Sequence, residues 1–537
     1  MLRRHCDGHA WLGLTLASTI VLLLLFSLSP AAPASATTPV GKLVVSPRIL
    51  KFPTTEGGTS KTLSFTLFNK GTAELVGSVG TPSTAQFVVI GGSAFSIEPG
   101  GNFPVSVEFL PPRKGTYRAK LPITVTNQKK PFEENLVGVA TPAPSGTVLV
   151  AGGWINTVAG TASIEIYNSV TGRFTPGPNM NDSRGTPAAS WLDPAVVSGA
   201  QAGEVLISGG EDTADNILGS TQLFDPATNS LATGPSGQPR AEHTSTLLSN
   251  GQVLLDGGLI FDLFGNVVGL NDQELYDSVS DTISTTGAMN DARGEQTATL
   301  IEGCNCARDG MVLVTGGVDD TFDSAGFAVA TATAELYDPS TGAFSCIGGV
   351  NGSTGFCNNT MTVARWEHEA TLLKDGTVLI TGGVTTDLGG RDGTTSADLY
   401  DPVSNTISPV GNMNVAREGQ TATLIEGCNC AADGEVLIAG GQNATGAVIN
   451  SAELYDPVSK TFHVTGSMRS PRATHDATAF AVGDLAGFVL ITGGYSKAGG
   501  KALASAELYN PFTGKFVPTG SMKQGRYEHA AALIPPP

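Results

Sequence analysis

Seven short runs of the chain are apolar at nearly every position and end in paired glycines: VLVAGG (148–153), VLISGG (205–210), VLLDGG (253–258), VLVTGG (312–317), VLITGG (378–383), VLIAGG (436–441) and VLITGG (489–494). An apolar run without a polar alternate suits a strand covered on both faces. Each run is followed by a second one: SIEIYNS, STQLFDP, DQELYDS, TAELYDP, SADLYDP, SAELYDP and SAELYNP. A polar turn, a third segment such as TGKFVPTG, an Arg and a further strand such as ARWEHEATLL (364–373) complete the period. Self-similarity of this kind is the signature of a repeat architecture. The pattern predicts a four-stranded antiparallel unit whose second strand ends in Gly-Gly. The glycines let the backbone turn where a side chain would clash, and Tyr-Asp-Pro makes a turn of its own. Asn250-Gly251 and Asp375-Gly376 are hairpin signals ahead of the second strand.

The first unit begins at its second strand, GTVLVAGG, and the last segment, GRYEHAAALI (525–534), is a first strand with no second strand after it. Ring closure explains both ends. The C-terminal strand completes the first unit, giving seven complete units and no open sheet edge. Residues 42–141 carry a different pattern, with apolar and polar positions alternating in SKTLSFTLFN, NFPVSVEFL and YRAKLPITVTN between Gly and Pro punctuation. Six or seven such strands in about 100 residues fit an immunoglobulin-like β-sandwich. TPAPSG (141–146) reads as a short linker.

The N-terminus changes the picture of where the chain works. Arg3 and Arg4 precede an apolar run from Trp11 to Leu28, and Ala34-Ser35-Ala36 ends a stretch of small residues. This is the pattern of a signal peptide over residues 1–36, cleaved after Ala36, although the length of the run leaves an uncleaved anchor open. Cys6 precedes the apolar run, so it cannot serve as a lipoprotein cysteine, and no second apolar run of spanning length follows. Removing two Arg and one Asp with the signal takes the net charge from −18 to −19. Such a surface repels phosphate backbones and argues against nucleic acid as a partner.

Six cysteines remain, an even number in an oxidising compartment, for which disulfides are the default. Cys304-Asn-Cys306 and Cys428-Asn-Cys430 each lie between a first and a second strand, in the fourth and sixth units. One unit separates them, so each pair is expected to close on itself. Free thiols and metal or redox chemistry are the alternatives, but two thiolates without a neighbouring His do not complete a zinc site. Cys346 and Cys357 flank the long insert SCIGGVNGSTGFCNNT and are expected to bridge it, on the face that carries the Arg turns.

These units resemble Kelch repeats in their paired glycines, the Tyr that follows and the Arg that opens the next unit, over residues 144–537. The Trp usual in the fourth Kelch strand is replaced by Phe174, Phe344, Phe462, Phe516 or smaller apolar residues. Residues 42–141 resemble the Hydin and abnormal-spindle type of sandwich domain, which implies a spacer or protein-contact role. The expected fold is therefore all-β: a seven-bladed Kelch-type β-propeller closed by the C-terminal strand and preceded by an immunoglobulin-like β-sandwich.

Residues at fixed repeat positions are expected to serve the repeat. Arg184, Arg240, Arg293, Arg365, Arg417, Arg472 and Arg526 recur ahead of the first strand, and Glu165, Glu274, Glu335, Asp398, Glu453 and Glu507, with Gln222 in the remaining unit, recur near the start of the third. One structural ion pair per unit is the expectation, with a cation ring for an acidic ligand as the alternative. His243, His368, His475 and His529 share one position with Gln296 and Gln420, which suits hydrogen bonding better than metal ligation. Residues that break the repeat are better ligand candidates. Trp154 and Tyr495 follow Gly-Gly, and Trp366 and Tyr527 follow the Arg. Aromatic rings there would stack on a sugar or grip a peptide.

The propeller pattern also resembles galactose oxidase and related copper radical oxidases. That resemblance implies a Tyr–Cys cross-link and two copper-binding His, one from a domain after the propeller. No Tyr-His dipeptide is present, and the chain stops at the closing strand. No nucleophile, phosphate-loop or cofactor motif stands out. The expected role is exported, non-catalytic recognition of a protein or glycan through the face of the Gly-Gly and Arg turns. A copper oxidase and a purely structural envelope protein are the alternatives.

Overall fold

The computed structural model describes residues 40–536, apart from 58, 112–113, 127, 263–265, 323–327, 386–392 and 498–499. The signal segment expected at 1–36 lies outside the described residues. Among those described, the fold is almost entirely β, with one short 3-10 turn at Gly483–Leu485. No described helix is long and apolar enough to cross a membrane.

The N-terminal part is two sheets face to face. One runs in the order Leu43–Ser46, Lys61–Asn69, Asn102–Phe109, Phe87–Gly91. The other runs Ile49–Lys51, Phe132–Thr141, Gly115–Val125, Leu75–Val79, Ala94–Ile97, with Thr55–Glu56 also pairing to Phe132–Thr141. Alternation decides which side chains meet between them. Val105, Val107 and Phe109 from the first sheet pack against Leu121, Ile123 and Leu136 from the second, all buried. There are more strands than the six or seven expected from the alternation. Ile49–Lys51 and Thr55–Glu56 are too short to show a period of two.

The linker is tied down. Ser145 is 1% exposed, and its hydroxyl accepts a hydrogen bond from the Leu485 N–H at 2.8 Å.

Residues 147–534 form seven four-stranded antiparallel sheets. Their second strands are Thr147–Ala151, Val205–Ser208, Gln252–Asp256, Val312–Thr315, Val378–Thr381, Val436–Ala439 and Val489–Thr492. Nearly all of their residues are buried, as unbroken apolar runs require. The first strand of the first sheet is the C-terminal Ala530–Ile534, paired with Thr147–Ala151. First strands of successive sheets touch around a complete circuit, so the sheets close a ring. Third and fourth strands are pinned by ring pairs: Tyr167 on Phe174, Tyr337 on Phe344, Tyr455 on Phe462 and Tyr509 on Phe516, with centroids 4.9–5.1 Å apart. The Gly-Gly turns need glycine. Gly153 has φ of 91°, and a Cβ there would lie 2.7 Å from the Tyr527 carbonyl oxygen.

Candidate functional site

The seven repeat Arg side chains are internal, each at most 1% exposed. In every unit one Nη donates to the carbonyl of the first glycine of Gly-Gly, as from Arg293 to Gly316 at 2.8 Å and from Arg526 to Gly152 at 2.8 Å. In six units the other Nη meets the repeat acid at 2.9–3.2 Å. That carboxylate also accepts backbone N–H groups from the turn before the Arg, as Glu335 does from Asn290 and Asp291. The exception is the second unit. Gln222 replaces the acid and accepts the Asn181 N–H, while the nearest carboxylate to Arg184 is the half-exposed Asp182 at 3.8 Å. These guanidinium groups present no positive ring to a ligand.

The four His are equally internal. Nε2 of His243, His368 and His529 shares a hydrogen bond with Ser208, Thr315 and Thr492, each at the end of the second strand of the preceding unit. His475 meets Thr421 in the same way, on the preceding unit's first strand. Gln296 and Gln420 reach back to the Asp256 and Thr381 carbonyls. Burial, helped by nearby Arg groups, pushes His243, His368 and His529 down to about 3, so the rings are neutral near pH 7.

What varies between units is a pair of positions on the mouth of the ring: the residue after Gly-Gly and the residue after the Arg. Backbone bridges join them in every unit: Trp154 with Tyr527, Glu211 with Gly185, Leu259 with Ala241, Val318 with Gly294, Val384 with Trp366, Gln442 with Glu418, and Tyr495 with Ala473. The mouth is therefore divided. The third to fifth units form an apolar arc in which Trp366, 4% exposed, packs on Val318, Ala330 and Val384. This corrects the expectation for Trp366, whose ring is spent on packing and is not presented to a ligand.

The sixth, seventh, first and second units form the other arc. The Gln442 side-chain amide donates to both the Glu418 carboxylate and the Tyr495 hydroxyl, each at 3.0 Å. Tyr495 meets Tyr527 edge-on at 5.4 Å. Trp154 lies between Tyr527 and Gly185, and its indole occupies the space a Gly185 side chain would need. Trp154, Tyr495 and Tyr527 are half-buried, each with part of its surface open to solvent.

Inside both arcs lies a feature that sequence reasoning missed. The residue two past each Arg is Thr186, Glu242, Glu295, Glu367, Gly419, Thr474 or Glu528, and all seven have left-handed φ of 46–54°. Their backbones bond from unit to unit: Thr186 N–H to Glu528 O, Glu295 N–H to Glu242 O, Gly419 N–H to Glu367 O, Thr474 N–H to Gly419 O, and Glu528 N–H to Thr474 O. The Arg-x-Glu-His/Gln spacing was the available signal, since it recurs wherever these acids stand.

The cysteines pair as Cys304–Cys306, Cys428–Cys430 and Cys346–Cys357. Each Cys-Asn-Cys loop abuts the next unit, Cys304 at Gly376 and Cys428 at Gly487. Cys346 and Cys357 lie close to the Glu335 carboxylate, but their sulfurs are bonded to each other.

Residues 136–181 and 427–469 match the Kelch motif. The ring of seven sheets over residues 147–534 is a β-propeller, with Kelch motifs matched at these two places. No curated protein matches the chain. Among solved structures, that of YjhT is similar at 14% identity and a TM-score of 0.45, over 62% of this chain and 97% of that one. The first Kelch match begins inside the sandwich strand Phe132–Thr141 and the second includes the Cys428–Cys430 loop. The motif thus runs across the tied linker and across one staple.

Proposed function

We propose that the chain is an exported, non-catalytic binding protein, with an immunoglobulin-like sandwich in front of a seven-bladed Kelch-type propeller. It takes a protein or glycan ligand on the face of the Gly-Gly and Arg turns. The observation that carries this reading is the continuous arc Glu418–Gln442–Tyr495–Tyr527–Trp154, which crosses three units and reaches the fourth at Gly185. Repeat-wide Arg and acid side chains are consumed by the fold, so recognition falls to positions that differ between units. The part-open rings of Trp154, Tyr495 and Tyr527 are the chemistry that stacks on sugar rings or grips a peptide, while the buried Glu418 and Gln442 hold Tyr495 in place. Three closed disulfides suit an oxidising compartment. They also leave no described cysteine to cross-link a tyrosine, which favours binding over radical oxidation.

The test is a glycan array and a protein array probed with the mature chain, with Tyr495→Ala/Tyr527→Ala, and with Val458→Ser as control. Val458 is 92% exposed on the turn between a third and a fourth strand, away from the arc. Saturable binding that falls about tenfold or more in the double variant and persists in the control supports the reading. Binding that survives the double substitution, or none to either array, overturns it.

A further inference from the structure

The axial ring raises a question that the outer arc does not answer: why four of seven equivalent positions carry Glu. Glu242, Glu295, Glu367 and Glu528 line one cavity of about 250 Å³ together with Thr186. Burial, and after it the neighbouring acids Glu528, Glu295, Glu367 and Glu211, hold the Glu242 carboxyl well above the usual range. A second observation is independent of the acids. The Thr186 hydroxyl lines the same cavity, the residue is only 9% exposed, and its oxygen meets no protein partner. A buried hydroxyl without a partner is costly unless something occupies the space beside it.

The donor chemistry narrows the occupant. Carboxylate and hydroxyl oxygens surround the cavity, and no described cysteine lies there with a free sulfur. His243 and His529 also line it, but Nε2 of each is engaged by Ser208 or Thr492, and the Nδ1 edges pack against Gly209 and Gly493. Oxygen-only sites favour hard cations over zinc or copper. At about 30 Å³ per water, the cavity has room for a cation and several waters. Calcium accepts six to eight oxygens in irregular geometry, which suits a ring of unequal side chains better than the octahedron of magnesium.

The geometry points to an axial calcium site, held by the carboxylates of Glu242, Glu295, Glu367 and Glu528 and by the Thr186 hydroxyl, directly or through water. The site would neutralise the acid ring and lock the backbone ring at the propeller axis. It is separate from the aromatic arc and independent of any protein or glycan ligand.

Chelator-stripped mature protein titrated with calcium chloride, by calorimetry and by thermal unfolding, tests this. One saturable calcium per chain and a rise in melting temperature are expected. Glu242→Gln/Glu528→Gln, which keeps side-chain size, is expected to weaken calcium binding by about tenfold or more while raising the melting temperature in chelator, because like charges are removed. Thr186→Val serves if the double variant does not fold, with a smaller weakening expected. No calcium-dependent heat or melting shift in the wild type overturns the proposal. So does wild-type calcium affinity in the variant that folds.

Discussion

At the scale of a residue, this molecule is built on buried polar groups with assigned partners. In six of the seven units the repeat Arg ties the turn before the first strand to a Gly-Gly carbonyl and a carboxylate, so one planar fork fixes three segments of the unit. The His position works between units, where a neutral ring bonds a hydroxyl of the neighbour. Neutrality has a consequence. The folded His368 titrates near 3 against an ordinary value of 6.5, so the unfolded chain takes up its proton first as pH falls. Its contribution to stability is therefore present above pH 6.5 and is lost as pH falls towards 3. At pH 4 the loss is about 3 kcal/mol. Gln already fills this position in two units. His368→Gln should unfold in urea much like the wild type at pH 7 and be more stable by about that amount at pH 4. A difference that does not change with pH would show that His368 is not the titrating group.

At the scale of an element, local signals were legible and angular position was not. Tyr-Asp-Pro foretold its turn because the Asp carboxylate acts two residues on. Asp338, Asp401 and Asp456 accept the N–H groups of Ser340, Val403 and Val458 at 2.8–2.9 Å. Gly-Gly marked where second strands end for the same reason. Trp154 and Trp366 looked alike in sequence, since each follows a repeat landmark. Their packing separates them, with Val318 and Ala330 of the fourth unit and Val384 of its own unit enclosing Trp366. The axial Glu residues were hidden because a reading by alternation does not show that seven first strands converge on one axis.

The disulfide loops can be ranked in the same terms. Cross-linking limits the unfolded chain more as the loop grows. Losing Cys346–Cys357, separated by 11 residues, should cost about 3 kcal/mol. Losing either Cys-Asn-Cys bridge should cost about half as much. Paired Cys→Ser variants compared by urea denaturation check the order, and an equal cost would mean that packing of the small loops on the next unit dominates.

At the scale of the molecule, stability rests on one strand pair that joins the two ends of the ring. Ala530–Ile534 lies on Thr147–Ala151, Arg526 bonds Gly152 and Glu165, and His529 bonds Thr492. Truncation before Gly525 removes all three links and leaves Glu165 buried without its cation, an effect of about 3–5 kcal/mol on its own. Against a net domain stability of about 5–15 kcal/mol, adding an exposed sheet edge should be enough to open the ring. The sandwich has its own core, so calorimetry of the truncated chain should keep the sandwich transition and lose the cooperative transition of the propeller. A synthetic peptide of residues 525–537, added in excess, should restore that transition in proportion to its concentration, because it binds only the folded ring. Loss of both transitions would mean that the tied linker makes the sandwich depend on the propeller. An unchanged propeller transition would show that six complete sheets and a three-stranded remnant suffice, and that closure is not what holds the ring.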